Sequence, residues 1–471
     1  MLLMARDKFV TSILLLFMLT LFFVAPEWQS VLLMGMWLTV VVYCLLSIKE
    51  RLLLLLFQAT IFTFLMTRLI LPDFFTTAYI AGDADGTIRM FDEATIRFIY
   101  TTLAISICGS YLGFVIIPAK KDEVILLYDN ATPYVQSVRH ISKVLSYGCA
   151  LFFAVTIIEK SMFVFQNGYF DLYANFESHL PSIVHKLSSL YTPLFMLYLA
   201  TFPTKKEARW TILLYLLIAI ISLTTGSRTA FMLALVFLLF YYCLRNVVNP
   251  EEPWLTRKSV IVMLCAIPLL LAGMFMMDFV RADKELENAG VVDLFINFFY
   301  QQGVSAQVIG LTYNMQDLLG DRIFSFGQII DNFNKNFVFQ LMGTAVEYRP
   351  QTEDLALHGH MLGSAITYYS HYTGYLGGLG YGTSYVAEVW YDFGYVGLLL
   401  WNMMYGVIFA LFPLLLQKGL WFCAFGLNII PDILYAPRGH AAAFLNIFLS
   451  IIIILAYVVI HILAKRAMKK V

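Results

Sequence analysis

Apolar residues along this chain fall in long unbroken runs, not in the three-and-four spacing of a water-facing helix or the alternation of a half-buried strand. Residues 9–25, 31–48 and 445–461 approach or reach the ~20 apolar residues that carry a helix across a ~30 Å hydrocarbon layer. Similar runs predict about twelve spans, at residues 9–25, 31–48, 52–71, 98–117, 144–165, 188–202, 211–225, 229–244, 260–279, 396–416, 420–434 and 441–463. The first run has the look of a secretory leader, but no small-residue cleavage site follows it before the next run, so it reads as a span.

The polar segments between the runs set the orientation. With the amino terminus inside, the cytoplasmic segments hold Arg6, Lys8, Lys49, Arg51, Lys120, Lys121, Lys205, Lys206, Arg257, Lys258, Lys465 and Arg466; the reverse orientation breaks the positive-inside rule. Both termini are then cytoplasmic. Four sizeable segments face outward: residues 72–97, 166–186, the turn around Arg438, and a loop of more than 100 residues from 280 to 395. The chain therefore divides into residues 1–279 with nine spans, an outer loop at 280–395, and residues 396–471 with three spans. Residues 291–300 and 323–339 of the loop mix Phe, Ile and Val with Asp, Asn and Gln, which predicts short helices at the membrane surface or tucked into the bundle.

Composition agrees. Of 471 residues, 60% are hydrophobic and 13% charged, far from the half-apolar, quarter-charged mix of a soluble domain. The expected fold class is all-α, a polytopic membrane helix bundle of about 12 transmembrane helices. Net charge is zero, with 31 basic and 31 acidic residues, which gives no reason to expect nucleic acid. The six cysteines lie inside apolar runs without paired spacing and read as small packing residues.

Arginines at the outer ends of spans are the first candidates for chemistry. Arg228 lies in Leu-Thr-Thr-Gly-Ser-Arg-Thr-Ala, where one apolar run meets the next with no polar spacer. A charge at that depth is expensive and usually faces a cavity or a partner; otherwise it snorkels to the interface. Arg281 follows the span ending at residue 279, and Arg438 sits in Tyr-Ala-Pro-Arg-Gly-His between the last two spans. Three guanidinium forks at one level suit a pyrophosphate, since each donates two hydrogen bonds and stays charged. The alternative is structural pairing with Asp278, Asp283 and Asp432.

The end of the long loop runs Glu347-Tyr348-Arg349-Pro350, His358-Gly359-His360, then five glycines between Gly374 and Gly382, then Thr383-Ser384-Tyr385-Val386-Ala387-Glu388-Val389-Trp390-Tyr391-Asp392-Phe393-Gly394. This reads as a loop feeding a helix capped by Ser384, with Glu388 and Asp392 on one face. Glu388 or His360 is placed to take a proton from a hydroxyl, although an acid in a first helical turn also has a plain electrostatic reason to be there. Arg349, Asp392 and Tyr385 are further candidates. The His-Gly-His pair lacks the three or four ligands of a zinc site. Asp83-Ala84-Asp85-Gly86 reads as an exposed acidic turn more readily than as a cation site, so neither a metal nor any other cofactor is expected. The glycine run lacks the Gly-Lys-Ser/Thr ending of a phosphate loop. Tyr368, Tyr369, Tyr372, Tyr375, Tyr381 and Trp390 offer faces for sugars, as they also offer an interfacial belt.

Three stretches, Thr224 to Phe231, Gly380 to Gly397 and Tyr435 to Gly439, together resemble the Wzy-type O-antigen and capsule repeat-unit polymerases, and the layout of spans with one late outer loop extends the resemblance over most of the chain. The resemblance implies a GT-C-like transferase that moves a growing glycan from undecaprenyl pyrophosphate to a hydroxyl on the next lipid-linked repeat unit, in the inner membrane, with lipids and a chain-length regulator as partners. It also implies that Arg228, Arg281 and Arg438 hold pyrophosphate. The related ligase's loop histidine has no aligned match, so His360 stands only as a candidate. A flippase for the same lipid-linked unit is the alternative of another class, though its expected pseudo-symmetric halves are missing from the sequence. The O-antigen ligase is the alternative within enzymes.

Overall fold

The computed structural model describes residues 2–77, 80, 91–118, 128–261, 290–334, 342 and 345–468. The described residues are helical throughout their ordered elements, with no strand among them. Ten helices among them are long and apolar enough to cross a membrane, as the pattern of runs requires. Of the other predicted spans, 260–279 lies outside the described residues from 262 on. The segment 188–202 divides into Ser182–Ser189 and Tyr191–Ala200, the latter ten residues long and buried at nearly every position. The span expected from residue 441 begins later, at Ile451, because residues 441–450 form a short irregular turn before the helix Ile451–Met468. The acidic turn at 83–86 and Arg281 also lie outside the described residues.

The chain forms two compact units, one of residues 1–121, 262–411 and 433–443, the other of residues 122–261, 412–432 and 444–471. In the first unit the helices Glu93–Ile116 and Tyr385–Lys418 cross closely. A Cβ on Gly113 would stand 2.0 Å from the Met403 carbonyl oxygen, and one on Gly406 would stand 2.2 Å from that of Ser110. Between lipid-facing helices no hydrophobic force drives association, so close backbone approach and interhelical hydrogen bonds must hold them. Such bonds are present: Asn402 Nδ2 donates to Ser106 Oγ at 3.4 Å across this crossing, and Gln58 Nε2 of the helix Ile48–Ile61 donates to Ser110 Oγ at 2.9 Å.

The helix Ile48–Ile61 runs through a π-helical turn, Phe62–Met66, into Thr67–Phe74. Against it packs the loop helix Val291–Gln302: Thr67 Oγ1 donates to the Phe299 carbonyl at 2.8 Å, and Gly303 lies so close that a Cβ there would stand 2.5 Å from the Arg68 nitrogen. Part of the late loop is thus docked on the first unit. The second unit is built around the 35-residue helix Pro133–Asn167, where the Tyr134 hydroxyl meets His461 Nδ1 at 2.6 Å and accepts from Trp421 Nε1 at 3.1 Å.

The crossing makes a direct prediction from paired substitutions. Gly113→Ala overpacks the contact and should destabilise the detergent-solubilised protein by about 1–3 kcal/mol, whereas Gly148→Ala, with nothing within 4 Å of its Cβ, should be neutral or stabilise by up to about 1 kcal/mol. Thermal unfolding midpoints check both, and equal midpoints would refute the packing account.

Candidate functional site

Ser384 ends the glycine-rich stretch as the helix cap: its Oγ accepts the Val386 N–H at 3.3 Å and its carbonyl accepts the Glu388 N–H at 3.1 Å. That places Glu388 in the first turn with its side chain fully buried, at 0% exposure. A buried carboxylate persists only if its oxygens are satisfied. Oε1 accepts from Thr383 Oγ1 at 2.8 Å and from His440 Nδ1 at 2.7 Å, while Oε2 accepts the Ala441 N–H at 2.8 Å. Because the carboxylate accepts, Nδ1 carries the hydrogen, which leaves Nε2 as the ring nitrogen available to another partner. Burial alone would push the His440 imidazolium down, but the Glu388 charge and hydrogen bond, with the charge of Asp331, outweigh it and raise His440 above its ordinary value.

The turn carrying His440 is held at further points. The Ala441 carbonyl accepts from the Tyr405 hydroxyl at 2.7 Å, and the Ala442 N–H donates to the Ser325 carbonyl at 3.2 Å. These tethers fix the turn at the start of the last apolar run, and the last span begins ten residues later than that run suggests. Ser325 is itself pinned, because Asp392 accepts the N–H groups of Phe324 at 3.1 Å and Ser325 at 2.7 Å together with the Ser325 hydroxyl. Asp392 does lie on the Glu388 side of the helix, and its carboxylate there is occupied in anchoring the loop. Tyr385 points into the helix packing, beside Phe57 and Tyr405.

His360 is held in the same unit. Its N–H donates to Asp331 Oδ2 at 3.0 Å and its Nδ1 sits 2.9 Å from Asp331 Oδ1. Only glycine fits at 327, where a Cβ would lie 1.7 Å from the His360 carbonyl oxygen. The preceding turn is fixed by Arg322, whose Nη1 donates to the carbonyls of Ala356 at 2.7 Å and Gly359 at 2.9 Å. Asp331 therefore acts on both imidazoles, by contact on His360 and through its charge on His440.

A cleft of about 170 Å³ opens here, lined among others by Gln351, Ser364, Thr367, Tyr375, Thr383 and His440. Gln351 has a left-handed backbone, φ 54°, which costs a side-chain-bearing residue energy and marks constrained sites. Its Oε1 is buried with no hydrogen-bond partner among the described residues.

Arg438 is half-buried in the same turn as His440. Its Nη1 donates to the Gln302 carbonyl at 3.1 Å and to Gln302 Oε1 at 2.9 Å, and its guanidinium lies 5.8 Å from the Phe64 ring centre. Arg68, one turn beyond Phe64 and 7% exposed, lies 4.6 Å over the Tyr300 ring. Burial raises the Tyr381 phenol, and the neighbouring Arg68 charge pulls against that rise. Of the other predicted arginines, Arg228 precedes the helix Thr229–Val248 in the second unit, half-buried, and Arg349 is exposed in the loop before the helix Glu353–His358.

Sequence reasoning missed His440, Gln351, Asp331 and Arg68. Arg68 carried a signal, being a charge inside a predicted span. His440 stood two residues from a chosen arginine. Nothing in the sequence marks Gln351, since neither its backbone conformation nor its burial can be read there.

Two comparisons return nothing: neither a curated protein nor a solved structure matches the chain. A family model described as O-antigen polysaccharide polymerase Wzy matches residues 8–471. With nearly the whole chain matched and ten helices fit to span a bilayer, this multi-pass membrane protein belongs to the Wzy family of O-antigen polysaccharide polymerases.

Proposed function

We propose that the chain joins undecaprenyl-pyrophosphate-linked repeat units into O-antigen or capsular polysaccharide at the outer face of the inner membrane, with both termini in the cytoplasm. The growing glycan moves from its lipid pyrophosphate to a hydroxyl of the next lipid-linked unit, and undecaprenyl pyrophosphate leaves. Arg228, Arg281 and Arg438 are assigned to the pyrophosphate, whose developing negative charge is the largest charge for the protein to stabilise. Glu388 is assigned to the acid–base side of the reaction through the imidazole it holds, and His360, paired with Asp331, is the other candidate there. A chain-length regulator is the expected protein partner in the same membrane.

One observation carries this reading: the turn 438–440 presents a half-buried guanidinium and, two residues on, an imidazole backed by a buried carboxylate. Anion binding and proton transfer, the two needs of glycosyl transfer from a phosphate leaving group, thus stand side by side on one short segment.

Two predictions test the arginine assignment. Arg438→Ala and Arg228→Ala should each leave folded protein in the membrane with polymerisation cut about 10²–10³-fold, the range for removing one charge-stabilising donor. Cells carrying either variant would then show single-repeat glycan in place of a ladder on a polysaccharide gel, and wild-type chain lengths would remove that residue from the role. Arg438→Lys keeps the charge but loses the planar two-donor fork, so it should recover only part of the ladder.

A further inference from the structure

The cleft beside His440 is lined in part by Gln351, a residue held at φ 54° whose Oε1 is buried with no hydrogen-bond partner among the described residues. An unmade buried acceptor and a left-handed backbone both cost free energy, and such costs gather at binding sites. The lining suits a ligand rich in hydroxyl groups: Ser364, Thr367, Tyr375 and Thr383 present hydroxyl oxygens that can accept, those of Thr367, Tyr375 and Thr383 donating within the protein, and among the described residues no lysine, arginine or carboxylate lines the cleft.

From these contacts we infer that the cleft is the acceptor-sugar subsite, in which His440 Nε2 takes the proton of the attacking hydroxyl, the Gln351 side-chain amide hydrogen-bonds a neighbouring hydroxyl, and Glu388 is a positioning residue that acts through His440. The inference rests on the polymerase reading above and specifies who touches the acceptor. In the step, the acceptor O–H bond breaks and its proton passes to Nε2. The oxygen forms the new bond to the donor's anomeric carbon, and the bond from that carbon to the pyrophosphate oxygen breaks with its electron pair going to the lipid pyrophosphate. His440 then loses the proton to water.

Glu388 cannot reach a substrate, since it is fully buried and all three of its hydrogen bonds go to protein. What it does is fix the Nδ1–H tautomer, the arrangement by which a buried carboxylate makes an imidazole a base. His360 has the same Nδ1-to-carboxylate arrangement with Asp331, but it is His440, not His360, that lines the cleft.

The charged and titratable groups facing His440 are Glu388 from its helix, Asp331 from the helix Gly327–Asn334, and Tyr375 across the cleft. A base must be neutral to accept, so polymerisation should rise with pH through the raised value of His440. Glu388→Gln removes the charge that raises it. The acid limb should then move to lower pH, by about 1–3 units for loss of an adjacent opposite charge, while the plateau falls.

The test uses the full chain in proteoliposomes with lipid-linked repeat units extracted from cells that lack it. His440→Gln should lose about 10²–10⁴-fold, the usual worth of a general base. Gln351→Leu should raise the substrate concentration for half-maximal rate at least tenfold with a smaller change in maximal rate. If wild-type protein makes no polymer from this substrate, the polymerase reading itself fails. If wild type polymerises and His440→Gln keeps its rate, or Glu388→Gln keeps the wild-type acid limb, only the subsite assignment is overturned. Should His440→Gln elute as aggregate in detergent, the pH profile of Glu388→Gln and the saturation curve of Gln351→Leu decide.

Discussion

A single desolvated carboxylate organises the first unit. Glu388 draws in a hydroxyl five residues before it, and an imidazole and a backbone N–H more than fifty residues after it. Without water, each oxygen of a buried carboxylate must find donors inside the protein, and those donors come from two separate segments. The turn 439–442 is therefore held against the start of the helix Tyr385–Lys418 by an electrostatic requirement, reinforced by Tyr405 and Ser325 at the neighbouring peptide groups. Gly394, at φ 63°, then breaks this helix, so the capped first turns that carry Glu388 are set off from the span that follows.

Other ionisable side chains near the cleft serve as anchors for the loop. Asp392 holds the backbone at 324–325, Arg322 holds the carbonyls at 356 and 359, and Asp331 holds the backbone and ring of residue 360. These contacts explain how a loop with few helices longer than ten residues keeps side chains in register: its peptide groups are satisfied by charged groups, two of them, Asp392 and Asp331, fixed on helices, and hydrogen bonds to charge are worth about twice neutral ones.

Much of the fold was legible because lipid leaves few choices. A backbone without water must bond to itself, so apolar runs of sufficient length become helices, and ten of the expected spans are present among the described residues. The failures have local causes. Residues 441–450 are apolar enough to span, but Ala441 and Ala442 at their start are tied to Glu388, Tyr405 and Ser325 in a turn. Residues 188–202 form two short buried helices because hydropathy reports burial and cannot tell lipid from protein. Within the candidate site, the sequence singles out Glu388 by its place in a capped first turn and Arg438 by its turn between spans. It does not single out His440, because the contact of its ring is with a carboxylate 52 residues earlier in the chain, a pairing that no local spacing encodes.

The pairing of Glu388 with His440 also limits how its parts can be separated by mutation. Removing one member of a buried pair leaves the other uncompensated, at a cost of about 3–5 kcal/mol, so an alanine at 388 would combine lost positioning with lost folding. A glutamine keeps an acceptor for Nδ1–H or for Ala441 N–H, not for both, and removes the charge. It therefore disturbs the turn far less than an alanine does while still removing the charge. The charge is the part that tunes the imidazole, whereas the hydrogen bonds are the part that holds the turn, and a carboxylate is the one side chain that supplies both at once from a fully buried place.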